Sequence, residues 1–349
     1  MIDYITPSAI DIRITDGANA VGTNGQISFD TSSNTLYIYD GFTVGGRYSI
    51  ATEYVYVEPY TFQGSISGYT SGGNAGGLTA TNTIDKFPFA TNSNASDVGD
   101  LTVTREWLAG QSSRQSGYTS GGRQINVSPT YNIIDKFPFS ADANASDVGD
   151  LTQGKYNPVG QSSDASGYTS GGQTPANTNT VDKFSFSSNG NATDVGDLTI
   201  ATRAPAGQSS SVSGYTSGGA RPGISNVIDK FPFTSDGNAT DVGDLTRGGY
   251  SPAGQSSETH GYTSGGYAPT VVNTIDKFPF ATDANATDVG DLTQARYHLT
   301  GQSSTASGYN SGGDGLLNTI DKFPFAADTN ATDVGDLTQS RSRGAGQQV

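Results

Sequence analysis

Several residue types that build common sites are rare in this chain of 349 residues. It has no cysteine, one methionine, one tryptophan and two histidines. Without cysteine, a disulfide framework and a thiolate metal site are both excluded. Basic residues are also scarce, since 18 Lys and Arg stand against 33 Asp and Glu, for a net charge of −15. Because phosphate binding needs a basic face, no nucleic-acid partner is expected.

Long hydrophobic runs are missing as well. No stretch approaches the roughly 18 apolar residues of a membrane span, so no membrane insertion is expected. The first residues lack a charged segment followed by an apolar run, so no signal peptide is expected. Only 33% of the residues are hydrophobic, which together with the acidity is compatible with disorder. Aromatic residues at fixed places in a strict period argue against that interpretation.

One unit is repeated six times along most of the chain. Its marker is a Gly-Tyr-(Thr/Asn)-Ser-Gly-Gly motif, which recurs at spacings of 49, 50, 47, 47 and 47 residues. The marker tyrosines are Tyr69, Tyr118, Tyr168, Tyr215, Tyr262 and Tyr309. A fixed period near 50 residues is typical of propellers and solenoids.

Each unit offers four strand candidates. In the fifth copy they are residues 254–257, 261–266, 275–280 and 288–292. Short strands at regular spacing, separated by turn residues, predict an all-β fold in which each unit forms one propeller blade. A single unit has too few large apolar residues to offset the conformational entropy of folding, so we expect one blade to depend on its neighbours.

The motifs of the unit resemble kelch repeats. A Gly-Gly pair follows an aromatic residue, as in 262–266, and an Ile-Asp-Lys-Phe strand follows, as in 275–278. An arginine often precedes the next unit, at Arg105, Arg203, Arg296 and Arg341. Kelch repeats place a tryptophan in the fourth strand, where this chain has Val or Leu. The resemblance covers residues 62–349 and implies a six-bladed kelch-like β-propeller over residues 61–349.

Residues 1–60 lack the repeat and are predicted to form a small N-terminal β-module. Residues 25–30 and 34–41 alternate apolar and polar side chains around a turn at 31–33, which predicts a hairpin. A further strand is predicted at 54–57. The string from 25 to 41 resembles a segment of phage tail-fibre and other virion appendage proteins, although an ordinary hairpin would have the same pattern. The resemblance implies a virion structural protein that contacts other virion proteins, or oligomerises, through residues 1–60.

Two windows differ among the six copies. One lies between the Gly-Gly pair and the third strand, and the other lies between Asp-Leu-Thr and the next Gly-Gln. In a four-stranded meander both windows emerge at the same end of the ring. Variable loops on a rigid scaffold suit a binding surface, but neutral drift would give the same variation. The candidate binding residues are Arg105, Trp107, Arg123, Tyr131, Tyr156, Arg221, Tyr250, Tyr267, Tyr297 and His298.

Residues 344–349 restart the unit, so we expect them to complete the first blade and close the ring. The repeated Asp-x-Asn hairpins lack the spacing of a calcium loop and are interpreted as turns, so neither a metal nor a cofactor is expected. Nearly every aspartate recurs in all six units, and the two histidines lie in different units. A converging catalytic set is therefore not predicted, and the protein is expected not to be an enzyme.

Together these patterns predict a phage virion appendage protein of tail-fibre or adhesin type, located in the virion. Its propeller would contact a host glycan or receptor, or another virion protein. The alternative is a cellular kelch-like scaffold or surface glycan-binding protein. The sequence names neither ligand nor host, and it leaves homo-oligomerisation open.

Overall fold

The computed structural model describes residues 62–349 except 77–78, 126–129, 222 and 316, together with three strands nearer the start of the chain. The chain divides into two compact units, Met1–Pro59 and Tyr60–Val349. The regular structure of the described residues is β throughout. None of those residues forms a helix with the length and hydrophobicity of a membrane span.

The first unit contains a three-stranded antiparallel sheet. Its strands are Ile27–Asp30, Thr35–Ile38 and Tyr48–Ile50. The first two pair with Ile27 opposite Ile38, which confirms the predicted hairpin. The third strand pairs with the second and was not predicted from the sequence. The strand predicted at 54–57 lies outside the described residues.

The second unit contains six four-stranded antiparallel sheets, each built on one copy of the repeat. We number them sheet 1 to sheet 6. In that order the first strands are Ala345–Gln348, Ala109–Ser112, Val159–Ser162, Ala206–Ser209, Ala253–Ser256 and Thr300–Ser303. The second strands are Ser67–Ser71, Ser116–Ser120, Ser166–Ser170, Ser213–Ser217, His260–Ser264 and Ser307–Ser311.

The third and fourth strands complete each sheet. The third strands are Thr83–Pro88, Ile133–Pro138, Thr180–Ser185, Val227–Pro232, Thr274–Pro279 and Thr319–Pro324. The fourth strands are Ser96–Asp100, Ser146–Asp150, Thr193–Asp197, Thr240–Asp244, Thr287–Asp291 and Thr332–Asp336. Two small sheets join short segments of the variable windows: Asn74–Ala75 with Thr79–Ala80 and Arg341–Ser342, and Gln173–Thr174 with Ala176–Asn177.

The first strands of the six sheets contact one another in a closed cycle, which places them around a common centre. A glycine in each first strand makes this approach possible. A Cβ atom on Gly160 would overlap the carbonyl oxygen of Gly110, and one on Gly346 would overlap that of Gly301. A side chain at this position would therefore force neighbouring strands apart. The architecture is all-β and propeller-like, as the repeat predicts.

The end of the chain closes this cycle. Strand Ala345–Gln348 pairs with Ser67–Ser71 in sheet 1, with Gln347 opposite Tyr69. The expectation that residues 344–349 complete the first unit is confirmed. Gly64, which precedes the second strand of sheet 1, makes a single parallel bridge to Ser304.

The hydrophobic core lies between sheets. The tyrosine of each second strand packs on two phenylalanines at the end of the third strand of the next sheet. Tyr69 contacts Phe137 and Phe139 at ring-centre distances of 5.5 and 5.0 Å. The same contact recurs around the ring and returns to sheet 1 through Tyr309. Each unit thus relies on its neighbour to cover its aromatic residues.

Polar contacts repeat across the same interfaces. Nε2 of Gln111 donates to the carbonyl oxygen of Tyr168 at 2.9 Å and to Oγ1 of Thr169 at 3.0 Å. The equivalent glutamines of the other sheets also reach into the next sheet. In the Asp-x-Asn hairpins, Oδ1 of Asn144 accepts the backbone N–H of Asp100 in the preceding sheet at 3.0 Å. The repeated Asn therefore joins sheets.

Candidate functional site

The two variable windows lie at the same end of the ring because they pair with each other. Glu106, in the window between Asp-Leu-Thr and Gly-Gln, forms a β-bridge with Arg123, in the window after the Gly-Gly pair. Tyr250 and Tyr267 pair in the same way. In sheet 1, Arg341–Ser342 pairs with Asn74–Ala75. The prediction that both windows share one end is confirmed. We call this surface the variable face.

Six residues in the variable face form a closed ring of backbone hydrogen bonds. Each stands two residues before the first strand of its sheet. Its N–H donates to the carbonyl oxygen of the equivalent residue in the preceding sheet, over 2.7–3.1 Å. We call this set the axial ring: Trp107, Asn157, Ala204, Ser251, His298 and Arg343.

The axial ring is conformationally unusual. All six residues have φ between 51° and 62°, in the left-handed region. A side chain there costs about 1–2 kcal/mol, and glycine is the residue that avoids this cost. None of the six is glycine, and all six are different, although the strands around them repeat. Backbone outliers of this kind are a reason to look for function.

A cavity of about 110 Å³ lies beside the axial ring, lined by ring residues and the first strands. Two of its polar atoms have no hydrogen-bond partner among the described residues. They are Oγ of Ser251, a residue that is 6% exposed, and Nε1 of Trp107. An unpaired buried polar group costs free energy, so both atoms are unusual features of the wall of this cavity.

Aromatic and basic side chains stack on one side of the axial ring. The guanidinium carbon of Arg123 lies 3.9 Å from the ring centre of Trp107 and 4.3 Å from that of Tyr156. The rings of Trp107 and Tyr156 are 5.5 Å apart. Arg343 lies 4.8 Å from the ring of Trp107. These cation–π contacts hold the aromatic rings in place.

Charged groups surround His298. Its Nδ1 lies 2.9 Å from Oδ2 of Asp314, and Arg343 lies 3.6 Å from the same oxygen and 3.1 Å from Oε2 of Glu106. Burial by itself would raise the pKa of Asp314, but the hydrogen bond and charge of His298, with help from Arg343, lower that pKa to about 2. The carboxylate of Asp314 is therefore ionised at neutral pH. With Arg123 counted, the charges of two arginines and two carboxylates cancel, and a protonated His298 adds one positive charge.

Three tyrosines extend this cluster along the variable face. The ring centres of Tyr250 and Tyr267 are 5.2 Å apart, and those of Tyr267 and Tyr297 are 5.9 Å apart. Tyr297 lies 4.4 Å from the ring of His298, which in turn lies 6.3 Å from Trp107. The result is a continuous path of half-buried rings.

The structure brings together seven of the ten predicted residues. These are Trp107, Arg123, Tyr156, Tyr250, Tyr267, Tyr297 and His298. Arg105 instead lies fully buried in an ion pair with Asp135 at 2.9 Å, so its side chain is not part of the surface. Arg221 pairs with buried Asp229 at 2.9 Å. Tyr131 lies half-buried just before the third strand of sheet 2.

Sequence reasoning missed five residues of this surface. They are Glu106, Asn157, Ser251, Asp314 and Arg343. A signal for the axial ring was present, since its members occupy one column when the copies are aligned two residues before each first strand. That column holds no common residue type, so the repeat does not reveal it.

The arrangement is suited to binding. Oγ of Ser251 has no hydrogen-bond partner, so His298 does not activate it as a nucleophile, even though His298 is hydrogen-bonded to Asp314. In the described part of the chain, no group of three or more His, Asp or Glu side chains is placed to hold a metal ion. What the variable face offers is stacking surface, unpaired hydrogen-bonding groups and balanced charge.

Comparison with protein-family models and with curated proteins gives no match for this chain. The resemblances to kelch repeats and to virion appendages therefore stay hypotheses from the sequence.

Proposed function

We propose that the ring is a six-bladed kelch-like β-propeller and that the chain is a non-enzymatic component of a phage virion appendage, of tail-fibre or adhesin type. The variable face binds a neutral glycan on the host surface, and residues 1–60 attach to other virion proteins. Six four-stranded sheets with a closed cycle of first strands support the blade count. The N-terminal hairpin, in which Ile27 lies opposite Ile38, carries the resemblance to virion proteins.

The axial ring is the observation that carries the binding role. Its backbone hydrogen bonds need no side chain, and its positive φ values favour glycine. A purely structural ring would be more stable with glycine at these six positions. The chain has six different side chains there instead, and they lie beside a cavity with unpaired polar atoms. Ligand binding explains why this strain is tolerated.

The chemistry of the surface favours an uncharged sugar. A pyranose has an apolar C–H face that stacks on an aromatic ring, and a polar edge of hydroxyl groups. Tyr250, Tyr267 and Tyr297 offer half-buried aromatic rings, whereas Trp107 and Tyr156 are already stacked by Arg123. Ser251 and Trp107 have unpaired polar atoms nearby. The arginine and carboxylate charges of the cluster cancel, and a net charge of −15 disfavours polyanions.

A glycan array with the full chain tests the binding role. In the test variant, Tyr156, Tyr250 and Tyr297 are all changed to Ala, and we expect affinity to fall at least about tenfold, because each aromatic contact is worth about 0.5–1.5 kcal/mol. The matched control is Ala204→Gly, which changes the axial ring without removing a functional group and relieves a positive φ. The control should keep its binding. Equal binding by the triple variant and the wild type would refute this site.

Virion membership is tested separately. Mass spectrometry of purified phage particles from the same source should detect peptides of this chain. Their absence from particles, with the protein found in the uninfected cell, would favour the cellular kelch-like scaffold instead.

A further inference from the structure

Each of the six sheets buries one aspartate in its third strand. Every one of these residues is at most 4% exposed: Asp85, Asp135, Asp182, Asp229, Asp276 and Asp321. Each accepts a hydrogen bond from a threonine hydroxyl of the preceding sheet. For Asp276 the donors are the N–H of Thr246 at 2.9 Å and its Oγ1 at 2.7 Å.

Five of these carboxylates are neutralised by a buried or nearly buried cation. The nitrogen–oxygen distances are 2.8–3.1 Å in the pairs Arg341–Asp85, Arg105–Asp135, Lys155–Asp182, Arg221–Asp229 and Arg296–Asp321. Asp276 forms no ion pair within the described part of the chain. A buried carboxylate without a cation is costly, so this exception needs an explanation.

The sequence of sheet 5 explains why its cation is missing. In sheet 3, Lys155 donates to Oγ1 of Thr180, which lies 25 residues further along the chain. In sheet 5 the residue 25 positions before the equivalent Thr274 is Gly249. Gly249 therefore replaces the lysine. In sheet 4 the cation is Arg221, which stands two residues after the Gly-Gly pair. The same position of sheet 5 is Ala268, so this cation is absent as well.

The missing side chains leave a cavity of about 20 Å³ whose lining includes Gly249, Ala268 and Asp276. This is room for one occupant of the size of a water molecule. In sheet 2 the corresponding space holds the guanidinium of Arg105, which donates to the carbonyl oxygens of residues 119, 121 and 133 as well as to Asp135. The equivalent residues of sheet 5, Thr263, Gly265 and Thr274, all line the cavity.

We propose that this cavity is a binding site for one small monovalent cation of ammonium or potassium size, held by Asp276 and the oxygen atoms around it. The same space takes an ammonium group in sheet 3 and a guanidinium group in sheets 1, 2 and 6, so its oxygens already suit a single positive charge. A divalent ion would need more carboxylates and more ligands than one aspartate and this volume supply.

The electrostatics of Asp276 support this assignment. Burial raises its pKa, the hydrogen bonds from Thr246 oppose that rise, and the charge of Asp288 adds to it. Arg247, an exposed residue that lines the cavity, lowers the pKa less than burial raises it. The net effect is a buried carboxylate whose negative charge is not neutralised by a paired cation. A cation bound in the cavity would neutralise it.

The test compares thermal unfolding of the full chain in chloride salts at equal ionic strength. Potassium and ammonium fit the cavity, whereas N-methylglucamine is too large. We expect the melting temperature of the wild type to be about 1–2 °C higher in one of the small cations, and the better of the two identifies the ion. Gly249→Lys supplies the charge covalently, so its melting temperature should be higher and the same in all three salts.

The variant is structurally feasible. A Cβ atom on Gly249 would meet nothing closer than 3.6 Å, and its φ is not in the left-handed region. If Gly249→Lys fails to fold, Ala268→Arg copies the arrangement of Arg221 and serves as the second variant. Equal melting of the wild type in all three salts would overturn the proposal. So would a salt response that is the same in the wild type and the filled variant, because that is a general ionic effect.

A direct readout uses crystals grown in rubidium chloride. An anomalous peak next to Asp276, absent in Gly249→Lys crystals, is the expected result, and an empty cavity in the wild type would contradict it. This site does not depend on the proposed glycan binding, so either proposal can fail without the other.

Discussion

Replacing Gln347 with alanine tests whether the ring is closed where the two ends of the second unit meet. Gln347 is fully buried, and its Nε2 donates to Oγ of Ser71 at 2.9 Å, to the carbonyl oxygen of Tyr118 at 2.9 Å and to Oγ1 of Thr119 at 3.1 Å. The alanine variant loses the bond to Ser71 within sheet 1 and the two bonds to Tyr118 and Thr119 across the interface with sheet 2. It also leaves buried polar atoms unpaired.

The expected loss of stability follows from the buried polar groups that the substitution leaves unpaired. An unsatisfied buried donor or acceptor costs about 1–3 kcal/mol, so losing Gln347 should lower the free energy of unfolding by about 3 kcal/mol. The unit Tyr60–Val349 has 290 residues. At roughly 2.1 cal/mol/K per residue, its unfolding entropy makes 3 kcal/mol equal to a fall of about 5 °C in melting temperature.

The matched control is Gln208→Ala, in the middle of the ring. Nε2 of Gln208 donates to the equivalent three atoms, in Ser217, Tyr262 and Thr263, at 2.9–3.0 Å. In a closed ring every interface is needed, so calorimetry should give equal losses for the two variants. In an open arc the terminal sheet would fray. A loss for Gln347→Ala below a third of the loss for Gln208→Ala would refute closure.

Two further predictions concern the centre of the ring and its charged cluster. Gly160→Ala should destabilise by at least about 3 kcal/mol in denaturant unfolding, because its Cβ overlaps the carbonyl oxygen of Gly110, whereas Gly190→Ala, which meets nothing within 4 Å, should be neutral. The lowered pKa of Asp314 contributes stability that is present above pH about 4 and is lost as the pH falls through about 2. Asp314→Asn should therefore be about 1–2 kcal/mol less stable than the wild type at pH 5, and a gap that persists at pH 2 would contradict this origin.

The repeat predicts the strands of the ring well because periodicity reports on contacts that every unit must make. The tyrosine, the paired phenylalanines and the glutamine each serve the same interface six times. The strand Tyr48–Ile50 was missed because it occurs once, and no second copy reveals its pattern. An element that occurs once cannot be compared with other copies, and that comparison is what predicts the strands of the ring.

Prediction of the site was partial for a different reason. Arg105 and Arg221 lie in variable windows, where variation indicates exposed loops, yet both side chains pair with buried aspartates. The cation that pairs with the buried aspartate is Arg or Lys, and it comes from one variable window in four sheets and from the other window in sheet 4. A conserved structural role therefore looks like sequence variation. The axial ring was missed because positive φ is expected at glycine, and none of its six residues is glycine.

The axial ring also explains how one end of so regular a molecule can vary. At the tyrosine, phenylalanine and glutamine positions, side chains make the contacts between sheets, so the residue types repeat. In the axial ring the contacts between sheets are backbone hydrogen bonds, which any residue other than proline can make. Side chains there can change while the ring stays closed, at the cost of a positive φ. The centre of the variable face is therefore where new binding chemistry disturbs the fold least.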